Sequence, residues 1–363
     1  MSVVDWIVVG GGITGSALAY ELAKQGLSVL LLERHETLQG GTRYGYGGVA
    51  FWAGTDEVTR QLCAEGIERL RSLSDELETD IQFREIDLVL TIPVDSNPDE
   101  IAQTYQHFGI PPQLVDVKTA CDLEPLLNPS AISGAMTVKH GHIHLGIAAA
   151  AYRSACVRCG GQVKVAQVTS LLRDRNQQVI GVGCGEETFA ASNVAISAGG
   201  LSRALLKNSG IHVPLYFTHA ELIETPPVDL KLRSLVMPAN AQRFQLEAEA
   251  SDPTKDSLWD EAGHEPSPAI LDAGAAQFMD GSLRIGQVSR TLTDPYAPIN
   301  AAQSEAEIRN DVGRVLPALR DLPGTWHHCL VGFTHDGLPL VGAIPQMPSV
   351  HVFSGFNNPL AIT

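Results

Sequence analysis

The chain has 363 residues and a mass of 38.8 kDa, which at roughly 150 residues per domain suggests about two domains and a core that needs no disulfide or structural metal. Hydrophobic residues make up 44% and charged residues 18%, which excludes general disorder, and 25 Lys and Arg against 41 Asp and Glu give a net charge of −16. That field repels phosphate backbones and anionic lipid, so neither nucleic acid nor a membrane surface is an expected partner.

No apolar run approaches the ~20 residues a membrane span needs. The N-terminus has no basic stretch before the apolar residues, so no signal peptide is expected. The cysteines at 63, 121, 156, 159, 184 and 329 are scattered, as expected of reduced thiols in a cytoplasmic protein.

In chain order, residues 5–9 are an apolar run that reads as a buried parallel strand. Gly10, Gly11, Gly12, Ile13, Thr14 and Gly15 follow at once as a G-x-G-x-x-G loop. Residues 16–25 have helical spacing and stop at Gly26; residues 27–32 form a second apolar strand closed by Glu33 and Arg34. Strand, glycine loop, helix, strand and acid together are the context a dinucleotide site requires. Gly10 permits the turn, Gly12 admits a pyrophosphate and Gly15 lets the helix pack closely. Helix N-terminal amides face the phosphates. Glu33 accepts from an adenosine ribose and disfavours a 2′-phosphate.

This opening serves FAD and NAD alike. The chain then enters a second glycine-rich loop containing Gly41, Thr42 and Arg43, in which Thr42 can face a phosphate. Later come a buried strand ending in Ala198 and Gly199, an Asp336-Gly337-Leu338-Pro339 segment, and a Ser354-Gly355-Phe356 turn.

With these motifs the sequence resembles the FAD-dependent D-amino acid oxidase superfamily, in particular its glycine oxidase, sarcosine oxidase and D-amino acid dehydrogenase branches. The resemblance runs along nearly the whole chain and implies FAD. It implies an α/β fold, with a discontinuous Rossmann-like FAD-binding domain (1–80, 145–215 and 324–363) and an antiparallel-sheet substrate domain (81–144 and 216–323). It further implies that Val168 meets the adenine, and that Ala198, Gly199, Gly355, Phe356 and Asn357 line the cofactor.

Within that frame, residues 57–78 read as a helix entered through Thr55 and Asp56. Strands are expected over 81–92, helices over 97–108 and 145–159, and strands over 163–172 and 179–182. Strands dominate 216–292, with an Asp280-Gly281 hairpin turn. Residues 248–268 read as an acidic surface loop and 303–316 as a helix.

Three constellations invite chemistry. His140, His142 and His144 share one face if extended and could meet a metal, but no carboxylate or thiol cluster accompanies them, so they read as a polar strand edge and no metal is expected. Cys156 and Cys159 form a lone CxxC at a helix end, which reads as two small buried residues. Cys329 stands before Asp336 at the spacing at which sarcosine oxidase-like members carry flavin through an 8α thioether. The resemblance thus raises a covalent link there, with His327, His328 and His335 as neighbours that could activate the thiol.

Two departures matter. Gly332 stands where glycine oxidase-like members place a carboxylate-binding arginine, and Pro359 where sarcosine oxidase-like members place a lysine. The chain stops at Thr363, where relatives continue into a helix facing the flavin. Arg43, Arg243 and Arg290 are the candidates for anchoring a carboxylate, and no catalytic residue is assigned. The resemblance implies oxidation of a C–N bond in an amino acid or small secondary amine by hydride transfer to flavin N5, with oxygen or another acceptor reoxidising the cofactor. The alternative is an FAD-binding assembly or partner protein that has lost catalysis.

Overall fold

A computed structural model describes residues 3–240 and 242–356. Asn357 and Pro359 lie outside the described residues.

The chain opens with β1 (Val4–Val9), α1 (Ile13–Lys24) and β2 (Val29–Glu33). A short helix α2 (Gly41–Tyr44) and strand β3 (Gly48–Val49) lead to α3 (Glu57–Glu76). Helix α3 begins where it does because Asp56 and Thr59 form a reciprocal capping box. Then come β4 (Arg84–Pro93), α4 (Pro98–Thr104), β5 (Gln113–Val115), α5 (Val117–Leu123) and β6 (Ile132–His142). The His144 side chain caps α6 (Leu145–Arg158) by accepting from the Ile147 amide. Four strands follow: β7 (Gln162–Val165), β8 (Ser170–Arg173), β9 (Val179–Cys184) and β10 (Glu187–Ile196).

After α7 (Ser202–Asn208) lie β11 (Tyr216–Glu224), β12 (Leu235–Pro238), α8 (Gln242–Ala250), β13 (Ile270–Gln277), β14 (Leu283–Arg290) and α9 (Ala301–Val315). The chain closes with β15 (Thr325–Phe333), β16 (Leu340–Ile344) and β17 (Met347–Ser354).

These strands form two sheets. The first has the order β16-β17-β10-β1-β2-β7, with β8 and β9 paired off β10. Its centre, from β17 to β7, is parallel. Both faces of that centre are covered, so β1 and β2 are apolar throughout: Val8 and Leu31 join α1, α3 and α6 in one core, and Ile7 and Leu32 join α7 and β9 in the other. Each such side chain contributes roughly 1.5–3 kcal/mol of transfer free energy.

The second sheet has the order β15-β11-β14-β13-β12-β4-β6-β3. It is antiparallel except for the β12–β4 pair. Helix α9 covers one of its faces through Ile308 and Val312.

Three expectations change. Residues 325–333, assigned by sequence to the FAD domain, pair along their whole length with β11 in the second sheet, and the chain rejoins the first sheet at Leu340. Residues 48–49 likewise pair with β6. The acidic stretch 248–268 is more ordered than a surface loop. It contains the end of α8 and a 3₁₀ segment, Pro253–Asp260, because Trp259 inserts between Tyr216, Phe217 and Phe333. Buried Arg203 pins that segment by pairing with Asp256 and Asp260.

Candidate active site

The glycine loop lies at the carboxyl end of β1, where parallel α/β sheets bind ligands. Gly10 adopts φ +106°, and a Cβ there would stand 2.4 Å from the Ser197 carbonyl oxygen. A Cβ on Gly15 would stand 1.9 Å from the Gly10 carbonyl oxygen, so the helix can start so close to the turn only with glycine. Gly12 differs: a Cβ there would meet only Thr42, whose Oγ1 lies 3.0 Å away.

Glu33 closes the loop from the next strand. Its Oε2 accepts from the Gly11 amide at 2.7 Å and its Oε1 from the His35 amide at 3.0 Å. The carboxylate is thus clamped to the loop, with lone pairs left for a ribose. From the other side, Thr42 Oγ1 accepts from the Ile13 amide at 2.9 Å. The first-turn amides of α1 have no carbonyl within the helix to bond, and Gly12 offers no side-chain cap. Between Gly12 and Thr42 lies a cradle of backbone donors that a Cβ would fill. Its shape and donors suit a dinucleotide pyrophosphate, which Gly10–Gly15, Glu33 and Thr42 would hold.

The remaining sequence candidates spread along the same edge. Arg34 follows Glu33, half-buried. Val168 packs on the core containing Leu30 and Leu32, beside Ala166, whose amide donates to the Glu33 carbonyl. Ala198 and Gly199 leave the end of β10, where Ser354 Oγ donates to the Gly199 carbonyl at 3.3 Å. Gly355 and Phe356 leave the end of β17, with Phe356 tilted against Phe353 at 4.7 Å. The strand ends of β1, β10 and β17 therefore bring these segments together.

Gly41, at the start of α2, faces β15 near Leu330. Arg43, two residues on, turns toward the second sheet, and its Nη2 donates to both carboxylate oxygens of Glu224 at 2.9 and 3.0 Å. Buried Arg284 binds the same carboxylate at 2.9 Å, and His327 lies 3.5 Å from it. Burial pushes the His327 imidazole down, against the pull of Glu224. Arg284 and Glu224 were not among the sequence candidates. Their signal is local: Arg284 interrupts the apolar run of β14 just after the Asp280-Gly281 turn.

The other arginine candidates separate. Arg290 points to the α9 side, where its Nε donates to buried Glu221 at 2.7 Å. Arg243 lies on α8 and donates to Glu247 at 3.1 Å. Gly332 is pressed against Gly199: a Cβ there would stand 3.3 Å from the Gly199 carbonyl carbon.

Cys329 is buried on β15 among Tyr44, Ala220, Leu222 and Val331. Burial pushes its thiol up to about 12, and Arg243 pulls it partly back. The neighbouring histidines serve elsewhere. His327 stacks on Tyr44, His328 faces Trp326 and His219, and His335 bonds Ser251. A reactive thiolate is therefore scarce in this environment.

His140, His142 and His144 diverge as well. The Trp52 indole donates to His140 Nδ1 at 3.1 Å, His142 lies against Phe278, and His144 caps α6. Among the described residues no group of three His, Cys, Asp or Glu is arranged to hold a metal. Cys156 is buried as expected, whereas Cys159 is exposed because it sits past the last turn of α6.

The FAD dependent oxidoreductase family profile matches residues 5–361. The chain belongs to the FAD-dependent oxidoreductase family. Its cofactor is accordingly FAD. It is 25% identical over 362 residues to 4-methylaminobutanoate oxidase (formaldehyde-forming) of Paenarthrobacter nicotinovorans, which covers 98% of this chain and 41% of that protein. The chain thus spans about two-fifths of that relative's length. Glycine oxidase of Geobacillus kaustophilus is 26% identical over 230 residues, 60% of this chain and 60% of that protein. The crystal structure of glycine oxidase from Geobacillus kaustophilus matches the fold with a TM-score of 0.77 at 20% identity, covering 100% of this chain and 92% of that one. Among the described residues no helix is long and apolar enough to cross a membrane.

Proposed function

We propose that this FAD-dependent oxidoreductase oxidises a C–N bond of an amino acid or small secondary amine, with oxygen or another acceptor reoxidising the cofactor. When bound, FAD supplies a hydride acceptor at N5. The observation that carries the reading is the path of residues 41–46. Thr42 closes the phosphate cradle, and Arg43, Tyr44 and Tyr46, which follow within four residues, lie against the second sheet. The cradle and a sheltered, polar sheet face are therefore joined by one short segment, as a reaction between a nucleotide cofactor and a small molecule requires. The relatives' activities on glycine and on 4-methylaminobutanoate support the amine class.

In this reading the residues of the second sheet orient the substrate and exclude water. Glu224 holds Arg43 and Arg284 in fixed positions, and the two guanidiniums exceed its single negative charge. That surplus suits a substrate carboxylate. The second reading, an FAD-binding assembly protein without catalysis, is favoured by Gly332 standing where relatives carry an arginine. Anaerobic mixing of the yellow protein with glycine, sarcosine and a panel of D-amino acids decides between them. Bleaching of the flavin by at least one is expected; no bleaching by any of them leaves the assembly reading.

A further inference from the structure

The second sheet loses its regular register at one level. Between β11 and β14 the pairing slips at Glu221 and Leu222, and between β13 and β14 it slips from Leu271 to Gly274. Asp272 sits inside that slipped stretch. Tyr46 reaches the same level from the segment beyond Thr42: its hydroxyl lies 3.3 Å from the Cβ position of Gly286, which pairs with both Leu222 and Gly274. Helix α8 packs on β13 and brings Arg243. Asp272 interacts electrostatically with Arg243, Glu247, Tyr46 and Tyr105.

Two polar atoms here, Tyr46 Oη and Asp272 Oδ1, are sealed from solvent and have no hydrogen-bond partner among the described residues. An unmade bond to a buried polar group costs about 1–3 kcal/mol, and more for a charge. The Asp272 carboxylate is bonded by the Asn240 side chain and attracted by Arg243. Arg243 is paired with Glu247, and Arg284, beside Tyr46, with Glu224. Asp272 Oδ1 is left as an unpartnered acceptor, and burial pushes the Asp272 carboxyl up. As whole residues both are half-buried. The complement of this site is a small cation carrying N–H donors.

We propose that Asp272 and Tyr46 hold the nitrogen end of the substrate, and that Asp272 makes the site select cationic amines. The proposal rests on the amine-oxidising reading above, and its test does not require turnover. FAD-loaded protein is titrated calorimetrically with ethylammonium chloride and, separately, with sodium propionate. Ethylammonium should bind more tightly than propionate. Its Kd should rise about tenfold in Asp272→Asn, a loss of about 1.4 kcal/mol, and recover in Asp272→Glu. Tyr46→Phe should weaken it by about threefold. Tighter binding of propionate by the unmodified protein, or an ethylammonium Kd unchanged in Asp272→Asn, overturns the proposal. Should Asp272→Asn fail to retain FAD, an unchanged Kd in Tyr46→Phe overturns it instead. Asp272-dependent ethylammonium binding in a protein that no amine bleaches keeps this proposal and removes amine oxidation. Bleaching by amines without Asp272-dependent binding does the reverse.

Discussion

Thr42 Oγ1 accepts a hydrogen bond from the Ile13 amide at 2.9 Å. This contact ties the second glycine-rich loop to the start of α1 and closes the cradle above Gly12. Because a Cβ on Gly12 would meet only Thr42, Gly12→Val should fold with stability within about 1 kcal/mol of the parent, yet fill the space the pyrophosphate needs. FAD affinity should fall at least about tenfold. Equilibrium dialysis beside a urea unfolding curve checks both. A folded variant with stoichiometric FAD would show that the cradle is not the phosphate site.

Glu33 carries a related expectation. It is clamped to the Gly11 and His35 amides, and its carboxylate disfavours a 2′-phosphate. Nucleotide released from freshly purified protein by acid should be FAD, identified by chromatography and mass, and Glu33→Ala should retain less than about a tenth as much. Recovery of NADP contradicts the role given to Glu33.

The Cys329 environment bears on covalent attachment. Its thiol is buried and pushed up to about 12, so at neutral pH almost none is thiolate. Acid precipitation of the holoprotein should leave a colourless pellet of unmodified mass, with all FAD in the supernatant. A yellow pellet heavier by one FAD, lost in Cys329→Ser, would establish the thioether and reverse this expectation.

Stability should depend on pH through three buried histidines. Burial, reinforced by His142, pushes His140 down to about 3; burial and Arg84 push His142 down to about 4; burial and His328 push His219 down to about 4. Each pKa is lower folded than unfolded, so between about 6.5 and 4 the unfolded chain binds more protons. Stability is then complete above about pH 6.5 and declines as pH falls, by up to about 1.4 kcal/mol per pH unit per histidine. Urea midpoints with saturating FAD at about pH 7.5 and about pH 5.5 measure this. Equal midpoints would mean that these imidazoles are not held neutral.

The first 34 residues were legible from sequence because every local signal there agrees: apolar strands, a glycine loop that tolerates no Cβ at Gly10 or Gly15, a helix, and Glu33. The helices α3, α6 and α9 were also read from sequence, α3 with its Asp56 start, whereas the His144 and Asn300 caps of α6 and α9 appear only in the structure. Residues 325–333 show the limit. An apolar strand has the same pattern in either sheet, and only the nine-residue ladder from Tyr216–Phe333 to Glu224–Thr325 decides its place. The site behaves likewise. Arg43, Glu224, Arg284 and His327 are far apart in the chain and meet only because α2, β11, β14 and β15 converge. Sequence supplied three candidate arginines, and the register break in β14 sent Arg290 to the α9 side although it shares strand parity with Arg284. It could not foresee that Tyr46 and Asp272 would reach the same level of the sheet, because that follows from register slips among three strands, β11, β13 and β14, with α8 packed on β13. Local chemistry determines the nucleotide loop, while the arrangement of charges that would choose a substrate exists only in the assembled sheet.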